Sequence, residues 1–463
     1  MHVGVLGGGI SGLTAAYRLL QQGADVELLE AGARVGGLLG TERIDACVVE
    51  TGADSILTEK PWAVALAREL GLESEIIGTR TGSRGAYIVH GGKLERVPAG
   101  FSLLAPLDLT ALARSPLLSP QGKLRAALDF VLPRGTGEDE SLESFVVRRF
   151  GRELFERLAQ PLAGGIYGAD PAKLSLRATM PRFLEIEREY GSVTRGMRAR
   201  ARLAASSGGS ADGAATGARY GLFAAFKGGM QALVDALASA LGERVQTRSM
   251  ATALYGSERG FRVEVRGGSR QYDAVVVALP AHAAAQTLAG FDATLSGELA
   301  AIQYASAATI TLCWPRAAIP HPLDAFGFVV PTIEQRSIIA STWASVKYDG
   351  RAPEDSALIR VFVGGHRGQH LVDYGDAELT SIARRELEQL IGVAAAPAWS
   401  LVKRYVRAMP QYHVGHQGRV ARIELQERQH ARFALAGNAY RGVGIPDAVK
   451  SGEDAARRVL AST

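Results

Sequence analysis

The residues best placed to do chemistry stand near the start of the chain. Gly7, Gly9 and Gly12 form a G-x-G-x-x-G pattern, and Glu30 follows the last of these glycines by 18 residues. Glycines at such a turn let the backbone approach a pyrophosphate, and the helix that follows offers free N–H groups and partial positive charge. An acid at this distance accepts hydrogen bonds from a ribose. The pattern predicts a dinucleotide site, and by itself it leaves NAD and FAD open.

The segments around these glycines have the periodicity that such a site needs. An apolar run at 2–6 predicts a strand, and apolar residues at helical spacing follow at 13–20. A second apolar run at 26–29 predicts another strand, which ends at Glu30, and a further glycine turn with the form R-x-GG follows at 34–37. The order strand, glycine turn, helix and strand predicts a Rossmann-type α/β fold.

Composition describes a globular protein and gives no support for a nucleic-acid partner. The chain has 463 residues, 47% hydrophobic and 21% charged, which is enough for two or three domains. A net charge of +5 is small against 52 basic and 47 acidic side chains. Cys47 and Cys313 form no CxxC or Cys/His cluster, so we expect no disulfide framework and no metal site, and the cysteine usage indicates a reducing cytoplasm. The start of the chain lacks a basic n-region, so we predict no export signal, and without an apolar window of 18 residues any membrane contact is expected to be peripheral.

The middle of the chain changes character. Residues 101–135 are rich in leucine and proline, and 141–202 have a mostly helical pattern, which together predict a helical subdomain. Its stretch 101–107 is a candidate membrane-dipping loop, with an ordinary core segment as the alternative. A basic run at Arg195, Arg198, Arg200 and Arg202 is a candidate contact for anionic lipid, with a solvated helix face as the alternative. Small and polar residues at 203–219 predict a flexible loop.

The second half predicts a β-rich region followed by a last strand and helix. Strand-like runs at 251–254, 261–265 and 274–279 predict a meander, and further strands are predicted at 308–314, 327–330, 337–341 and 357–363. A strand at 433–435 leads into a third glycine-rich turn at 437–447. In a doubly wound sheet, glycine turns after the first and last strands can contact the two ends of one long ligand. We therefore expect the two ends of the chain to meet.

With these motifs the sequence resembles the flavin amine-oxidase superfamily. Within it, the chain is most similar to the oxygen-dependent protoporphyrinogen oxidase family, which includes bacterial coproporphyrinogen III oxidases. The segments that carry the resemblance are spread in order along nearly the whole chain, at 5–13, 34–37, 161–175, 226–230, 326–331, 361–365 and 437–447. The Gly-Gly-Ile-Tyr block that begins at Gly164 discriminates best among them.

The resemblance implies FAD as the cofactor. It implies that Gly7, Gly9 and Gly12 take the pyrophosphate, that Glu30 binds the adenosine ribose, and that the turn at 443–445 lies beneath the flavin ring. The cofactor residues implied in this way are Gly7, Gly8, Gly9, Ile10, Ser11, Gly12, Glu30, Ala31, Arg34, Gly36, Gly37, Gly52, Val245, Asn438, Val443, Gly444 and Ile445.

The family also implies a three-part architecture in a mixed α/β (α+β) fold. A discontinuous Rossmann-type FAD-binding domain is expected from residues 1–75, 224–285 and 410–463. A mixed-sheet substrate-binding domain is expected from 76–98 and 286–409. An inserted helical subdomain is expected at 99–223.

The implied activity is oxidation of protoporphyrinogen IX to protoporphyrin IX in haem biosynthesis, with O2 as acceptor. Six electrons leave the substrate in three two-electron rounds, each releasing H2O2. The alternative substrate is coproporphyrinogen III, which gives coproporphyrin III.

The family motifs also imply the residues around the substrate. Gly165 is implied to present its backbone carbonyl to the pyrrole N–H groups, and Phe326, Val329 and Phe362 are implied to form pocket walls. Related enzymes often carry an arginine directly before the aromatic residue that is Tyr87 here. This chain has alanine at that position and Arg84 two residues earlier, so Arg84 is the candidate anchor for a substrate carboxylate.

Two other classes of function stay open. One is a different enzyme of the superfamily, an amine oxidase or a carotenoid desaturase. The other is a non-catalytic nucleotide-binding or scaffolding protein that uses the basic helical subdomain as a partner surface. For the leading interpretation we expect a cytoplasmic monomer or homodimer, with the helical subdomain as the candidate contact with the inner face of the cell membrane.

Overall fold

A five-stranded parallel sheet forms one core of the molecule. The computed structural model describes residues 1–206, 223–257 and 260–461. Every neighbouring pair in the sheet is parallel. Three of its strands, His2–Leu6, Ala274–Val277 and Phe433–Leu435, are mostly apolar and almost wholly buried, as expected for a sheet covered on both faces. The Rossmann-type prediction is confirmed. In order across the sheet the strands are Val245–Gln246, Asp25–Leu29, His2–Leu6, Ala274–Val277 and Phe433–Leu435.

The two ends of the chain meet on this sheet. Helix Ile10–Gln21 follows the first strand, and helix Ile445–Ala461 closes the described chain. Their backbones approach closely at Gly452, because a Cβ there would lie 2.3 Å from the carbonyl oxygen of Ser11. Helix Gln231–Leu241 packs on the same face of the sheet.

A seven-stranded mixed sheet forms a second core. Its neighbours pair antiparallel, except that Gly327–Val329 runs parallel to Tyr87–His90. Helix Asp376–Ile391 packs against one face in a large apolar cluster. The mixed-sheet prediction is also confirmed. The strands in order are Trp399–Pro410, Tyr304–Pro315, Ser356–Gly364, Ala340–Trp343, Gly327–Val329, Tyr87–His90 and Lys93–Arg96.

The third part of the molecule is helical and has its own core. Arg149 and Asp129 are fully buried inside it, and Arg149 Nε donates to Asp129 Oδ1 over 2.7 Å. A five-residue π-helical segment, Phe155–Ala159, leads into the helix that carries Gly165. The α-helices of this part are Leu109–Arg114, Pro120–Ala127, Leu142–Phe150, Arg152–Leu154, Gln160–Tyr167, Leu176–Thr179, Pro181–Tyr190 and Val193–Ser206.

Smaller elements connect the three parts. The remaining strands are Thr41–Ile44, Cys47–Glu50, Ile56–Leu57, Ile76–Gly78, Phe101–Ser102, Ala105–Pro106, Phe223–Phe226, Ala251–Ser257, Gly260–Val265 and Gly268–Tyr272. The remaining helices are Trp62–Glu69, Ala281–Leu288, Ala293–Ala300, Ala344–Lys347, Gly365–Gly368 and His416–Glu427.

The structure corrects the expectation for one segment and decides between two open alternatives for another. The third strand of the meander is Gly268–Tyr272, not 274–279; this strand is polar because it is solvent-exposed, and the apolar run belongs to the buried parallel sheet. The stretch 101–107 is not a membrane-dipping loop, because most of it is buried, with Phe101 only 2% exposed. In the predicted loop 203–219, residues 203–206 are helical, and the rest lies outside the described residues.

The domain limits remain our proposal. Strand Ile76–Gly78 pairs with Phe223–Phe226, which itself pairs with Ile56–Leu57. We therefore propose the division given above, with residues 76–78 moved into the cofactor domain, because they share a sheet with its other segments.

Candidate functional site

The first glycine turn combines tight packing with open space. Gly7 has a φ of +107°, and a Cβ at Gly12 would lie 1.9 Å from the carbonyl oxygen of Gly7. These two glycines are therefore required by the fold itself. A Cβ at Gly9 would meet nothing within 4 Å, although Gly9 directly precedes the helix that begins at Ile10. The free space and the free N–H groups of this helix start suit a phosphate.

The R-x-GG turn lies directly against the first turn. Gly36 N donates to the carbonyl oxygen of Gly8 over 2.7 Å, and Gly9 and Gly36 form a parallel bridge. Gly36 and Gly37 have φ values of +106° and +57°. Arg34 holds the turn in shape by donating to the carbonyl oxygens of Val35, Leu39 and Gly37. Within the described chain, its guanidinium therefore serves the turn.

Glu30 lies at the edge of the same turn. Its carboxylate accepts from the backbone N–H groups of Gly8, over 2.8 Å, and Gly32, over 2.6 Å. Its own N–H donates to Gln246, in the edge strand that contains Val245, and the next residue, Ala31, is exposed. The carboxylate is thus fixed at the end of the second strand, where a ribose hydroxyl is expected.

Gly52 brings another loop onto the R-x-GG turn. A Cβ at Gly52 would lie 1.6 Å from the carbonyl oxygen of Leu38, the residue after Gly37. The start of the first helix completes this half of the site, with Ile10 partly buried and Ser11 buried.

The C-terminal glycine turn is held by Tyr412, which the sequence analysis missed. Its hydroxyl donates to the carbonyl oxygen of Asn438 over 2.6 Å and accepts from Gly442 N over 2.8 Å. Its ring stacks on His416 with centroids 4.0 Å apart. Burial raises the pKa of Tyr412 and lowers the pKa of His416 to about 4, so both are neutral near pH 7. No motif marks Tyr412, and only its burial beside the turn shows its role.

Val443 and Gly444 lead into helix Ile445–Ala461, which places a second helix start near the end of the sheet. Two helix starts and three glycine turns, with open space at Gly9, fit an extended ligand with a diphosphate. The cofactor residues predicted from the sequence are therefore compatible with FAD.

Three of the predicted substrate residues lie together. Val329 pairs with Ala340, which pairs with Phe362, so the two predicted wall residues belong to one row across three strands. A Cβ at Gly165 would lie 3.6 Å from Cγ1 of Val329, and Gly165 is exposed. A Cβ at this distance would be in ordinary van der Waals contact, so the glycine leaves a narrow gap, about the size of one methyl group, between its helix and this face of the mixed sheet.

The helix that carries Gly165 ends against the strand that carries Phe362. Gly168 ends the helix with a φ of +57°, and its carbonyl oxygen accepts from His366 N over 3.1 Å. Burial lowers the pKa of His366; nearby Asp170 opposes this effect, and Arg367 and Lys173 add to it. The edge of the Gly165 gap therefore carries mixed charges, with Lys173 Nζ 4.0 Å from Asp170 Oδ2.

Phe326 and Arg84 are neighbours at the start of the strand that carries Val329. Phe326 is 4% exposed, and its N–H donates to the carbonyl oxygen of Gly85, the residue after Arg84, over 3.0 Å. Gly327, with a φ of +141°, separates Phe326 from Val329 at the beginning of this strand.

Arg360 joins the cofactor side to the substrate side. Its Nη2 donates to the carbonyl oxygen of Thr51 over 2.9 Å, and its guanidinium carbon lies 4.9 Å from the ring centroid of Phe362. The sequence alone does not mark Arg360, because a single arginine within an apolar strand belongs to no motif with a characteristic spacing.

Two searches of the described residues bear on metals and membranes. No group of three or more His, Cys, Asp or Glu side chains there is placed to hold a metal ion. None of the helices in the described ranges has the length and apolar character needed to cross a bilayer.

Comparison with known proteins agrees with this geometry. The family described as flavin containing amine oxidoreductase matches residues 10–460. A coproporphyrinogen III oxidase of Staphylococcus aureus is 33% identical over 99% of both chains. Protoporphyrinogen oxidase 2 of Arabidopsis thaliana is 29% identical, over 99% of this chain and 94% of its own.

A solved structure shares the whole fold. A crystal structure from Exiguobacterium sp. 255-15, described as a candidate protoporphyrinogen oxidase, superposes with a TM-score of 0.88 at 29% identity and covers 100% of this chain and 99% of its own. FAD is the cofactor that family and fold support. The chain belongs to the flavin containing amine oxidoreductase family, as an FAD-dependent oxidoreductase similar to the porphyrinogen oxidases.

Proposed function

We propose that this protein oxidises a porphyrinogen to the corresponding porphyrin, with O2 as the final acceptor and H2O2 as product. The observation that carries the proposal is the exposed backbone of Gly165 next to the apolar Val329–Phe362 row. A macrocycle with apolar faces and central N–H groups suits a surface that combines apolar side chains with exposed backbone. Bound FAD would supply the two-electron chemistry, in three rounds for each substrate molecule.

The chain's own contribution is to position the substrate. Gly165 places no side chain in the path of a flat ring and offers a backbone carbonyl as a hydrogen-bond acceptor near its helix end. Val329 and Phe362 present apolar side chains from a rigid sheet, which suits a site that must hold its geometry. This arrangement explains how a protein without a catalytic triad or metal motif in its sequence could direct such a reaction.

The relatives that match this chain with the higher sequence identities are named as porphyrinogen oxidases and not as amine oxidases, which favours the proposed function. Coproporphyrinogen III oxidases and a protoporphyrinogen oxidase match at 33%, 32% and 29% identity over nearly the full length. Putrescine oxidase matches in structure at 16% identity and a TM-score of 0.70, which is evidence for the shared fold alone.

The resemblance found in the sequence favours protoporphyrinogen IX as the substrate, whereas two further observations favour coproporphyrinogen III. The relatives with the higher identities carry the second name. At the edge of the Gly165 gap, Lys173 and Arg367 outnumber Asp170, so this rim keeps an excess of positive charge that can attract carboxylates. Coproporphyrinogen has four carboxylates and protoporphyrinogen two, so the positive rim favours coproporphyrinogen.

The experiment compares kcat/KM for the two substrates by porphyrin fluorescence in air. The reversal variants Lys173→Glu and Arg367→Glu should weaken coproporphyrinogen more than protoporphyrinogen, by about tenfold, or about 1.4 kcal/mol. Lys93→Glu, on the outer edge strand of the mixed sheet, is the matched control. Equal losses for both substrates would contradict the assignment of the rim, and no porphyrin from either substrate would contradict the proposed function.

We also propose a cytoplasmic location with peripheral membrane contact through the helical subdomain. Leu124, Leu128 and Val131 are exposed by 70%, 41% and 75% at successive turns of one segment. Arg195 donates to the neighbouring carbonyl of Phe130, which sets a cation beside this apolar stripe. Apolar groups beside a cation suit an anionic bilayer surface. Flotation with anionic vesicles should succeed for the native chain and fail for Leu124→Asp/Val131→Asp. Whether the protein is a monomer or a homodimer remains a prediction for sedimentation.

A further inference from the structure

The interface between the cofactor loops and the mixed sheet contains a cluster of buried charges. Lys347 Nζ lies 3.0 Å from Asp54 Oδ1, and Arg351 Nη2 lies 3.3 Å from Glu50 Oε1. Within each pair the charges balance. Arg360 is the third cation of the cluster and is 5% exposed. The carboxylates of Asp54 and Glu50 attract it, but among the described residues none lies within ion-pair distance of it, so the cluster has one more cation than anions.

Most of the hydrogen-bonding capacity of Arg360 is unused. A guanidinium has five N–H donors, and the hydrogen bond to Thr51 is the one that Arg360 forms within residues 1–206, 223–257 and 260–461. Its Nε is buried and has no acceptor there. A buried excess cation with unused donors is costly unless it serves a ligand or a strained segment.

The surroundings of Arg360 indicate which ligand it serves. The carbonyl it holds belongs to Thr51, and the next residue, Gly52, packs on Leu38 of the R-x-GG turn. The ring it lies over belongs to Phe362, the predicted pocket wall. Arg360 therefore stands between the cofactor turn and the substrate gap.

A substrate carboxylate is a poor match for this position. The cavity beside Arg360, which is also lined by Glu50, Asp54 and Arg351, has a volume of about 10 Å³. That volume is about the space of one water molecule. A propionate arm does not fit there, and the two carboxylates in the lining would repel it.

We propose that Arg360 is a positioning residue for the flavin: it fixes the 51–52 segment and supplies the excess positive charge of the cluster beside the ring. This inference rests on the proposed function, because it takes the ring to lie between Gly52 and Phe362. A fixed cation there favours whichever state of the ring carries more negative charge. Arg360 should therefore raise the flavin midpoint potential as well as the affinity for FAD.

The test measures the FAD dissociation constant of the stripped protein and the midpoint potential by dye-equilibrated photoreduction, without any porphyrinogen. Arg360→Met should weaken FAD about tenfold and lower the potential by about 30 mV, which is a tenfold change for a two-electron couple. Arg360→Lys keeps the charge, so its potential should stay near the native value although FAD binds more weakly.

Arg351→Met is the matched control, since Arg351 is an equally buried arginine of the same cluster. Its partner Glu50, whose burial raises the pKa to about 7, can take up a proton when Arg351 is lost, so the net charge changes little. The control should lose stability but keep its potential.

Equal shifts in Arg351→Met and Arg360→Met, or a native potential in Arg360→Met, would overturn the inference and make Arg360 purely structural. If Arg360→Met does not fold, a lowered potential in Arg360→Lys overturns it as well. The proposed function is tested by a different result. If the flavin binds normally but neither porphyrinogen reduces it, the proposed function is contradicted, while the measurements on the Arg360 variants remain valid.

Discussion

Replacing Gly12 and Gly9 by alanine separates what the fold needs from what the ligand needs. A Cβ at Gly12 would lie 1.9 Å from the carbonyl oxygen of Gly7, whereas real contacts of this kind stay above 3.0 Å. The helix must therefore move away by at least 1.1 Å, the difference between these two distances. Forcing a methyl group into a well-packed position costs about 1–3 kcal/mol.

Gly9→Ala makes the matched variant. A Cβ there meets nothing within 4 Å, and the backbone at Gly9, with φ −70° and ψ 173°, is open to alanine. The stability of the FAD-free protein should therefore stay native. The added methyl group lies where the diphosphate is expected, so FAD should bind at least tenfold more weakly, a loss of about 1.4 kcal/mol.

The assay uses urea unfolding of the FAD-free proteins, followed by circular dichroism, and FAD titration followed by quenching of flavin fluorescence. Gly12→Ala should lower the unfolding midpoint, and Gly9→Ala should not. A Gly12→Ala protein as stable as Gly9→Ala would refute the packing argument. Native FAD affinity in Gly9→Ala would refute the placement of the diphosphate.

Two other predictions concern carboxylates. Glu30→Gln should reduce FAD retention during purification, because the amide is a weaker acceptor for ribose hydroxyls; full yellow colour in the purified variant would contradict the assignment. Glu50 has its folded pKa raised to about 7, mainly by burial, so the folded state holds a proton that the unfolded chain releases at lower pH. Native stability should therefore fall from pH 5 to pH 8 relative to Glu50→Gln, and parallel unfolding curves for the two proteins across that range would exclude this contribution.

Sequence patterns within a few residues predicted individual strands, turns and helices, but not which strands pair with one another. The first strand, glycine turn and helix could be read from the sequence, because spacing and backbone freedom at Gly7 and Gly12 are fixed within a few residues. The sheet membership of Ala274–Val277 could not, because a short apolar run has the same appearance in a meander and in a buried parallel strand. Strand Trp399–Pro410 was missed because its mixed polar pattern reflects an exposed edge.

The residues of the candidate site also fall into two groups, those that a local motif marks and those that depend on long-range packing. The glycine turns carry motifs, so their residues were predicted by position. The pairing of Val329 with Phe362 through Ala340 depends on strand register over long sequence distances, which only the family resemblance suggested. Tyr412 and Arg360 act through burial and single hydrogen bonds to backbone carbonyls, which have no sequence signature.

The most direct test of the proposed function is the anaerobic addition of coproporphyrinogen III, and separately protoporphyrinogen IX, to the FAD-loaded protein. We expect the flavin absorbance to bleach with at least one of them, faster with coproporphyrinogen III, and porphyrin fluorescence to appear when air is admitted. A flavin that stays oxidised with both porphyrinogens, yet bleaches with dithionite, would contradict porphyrinogen oxidation by this chain.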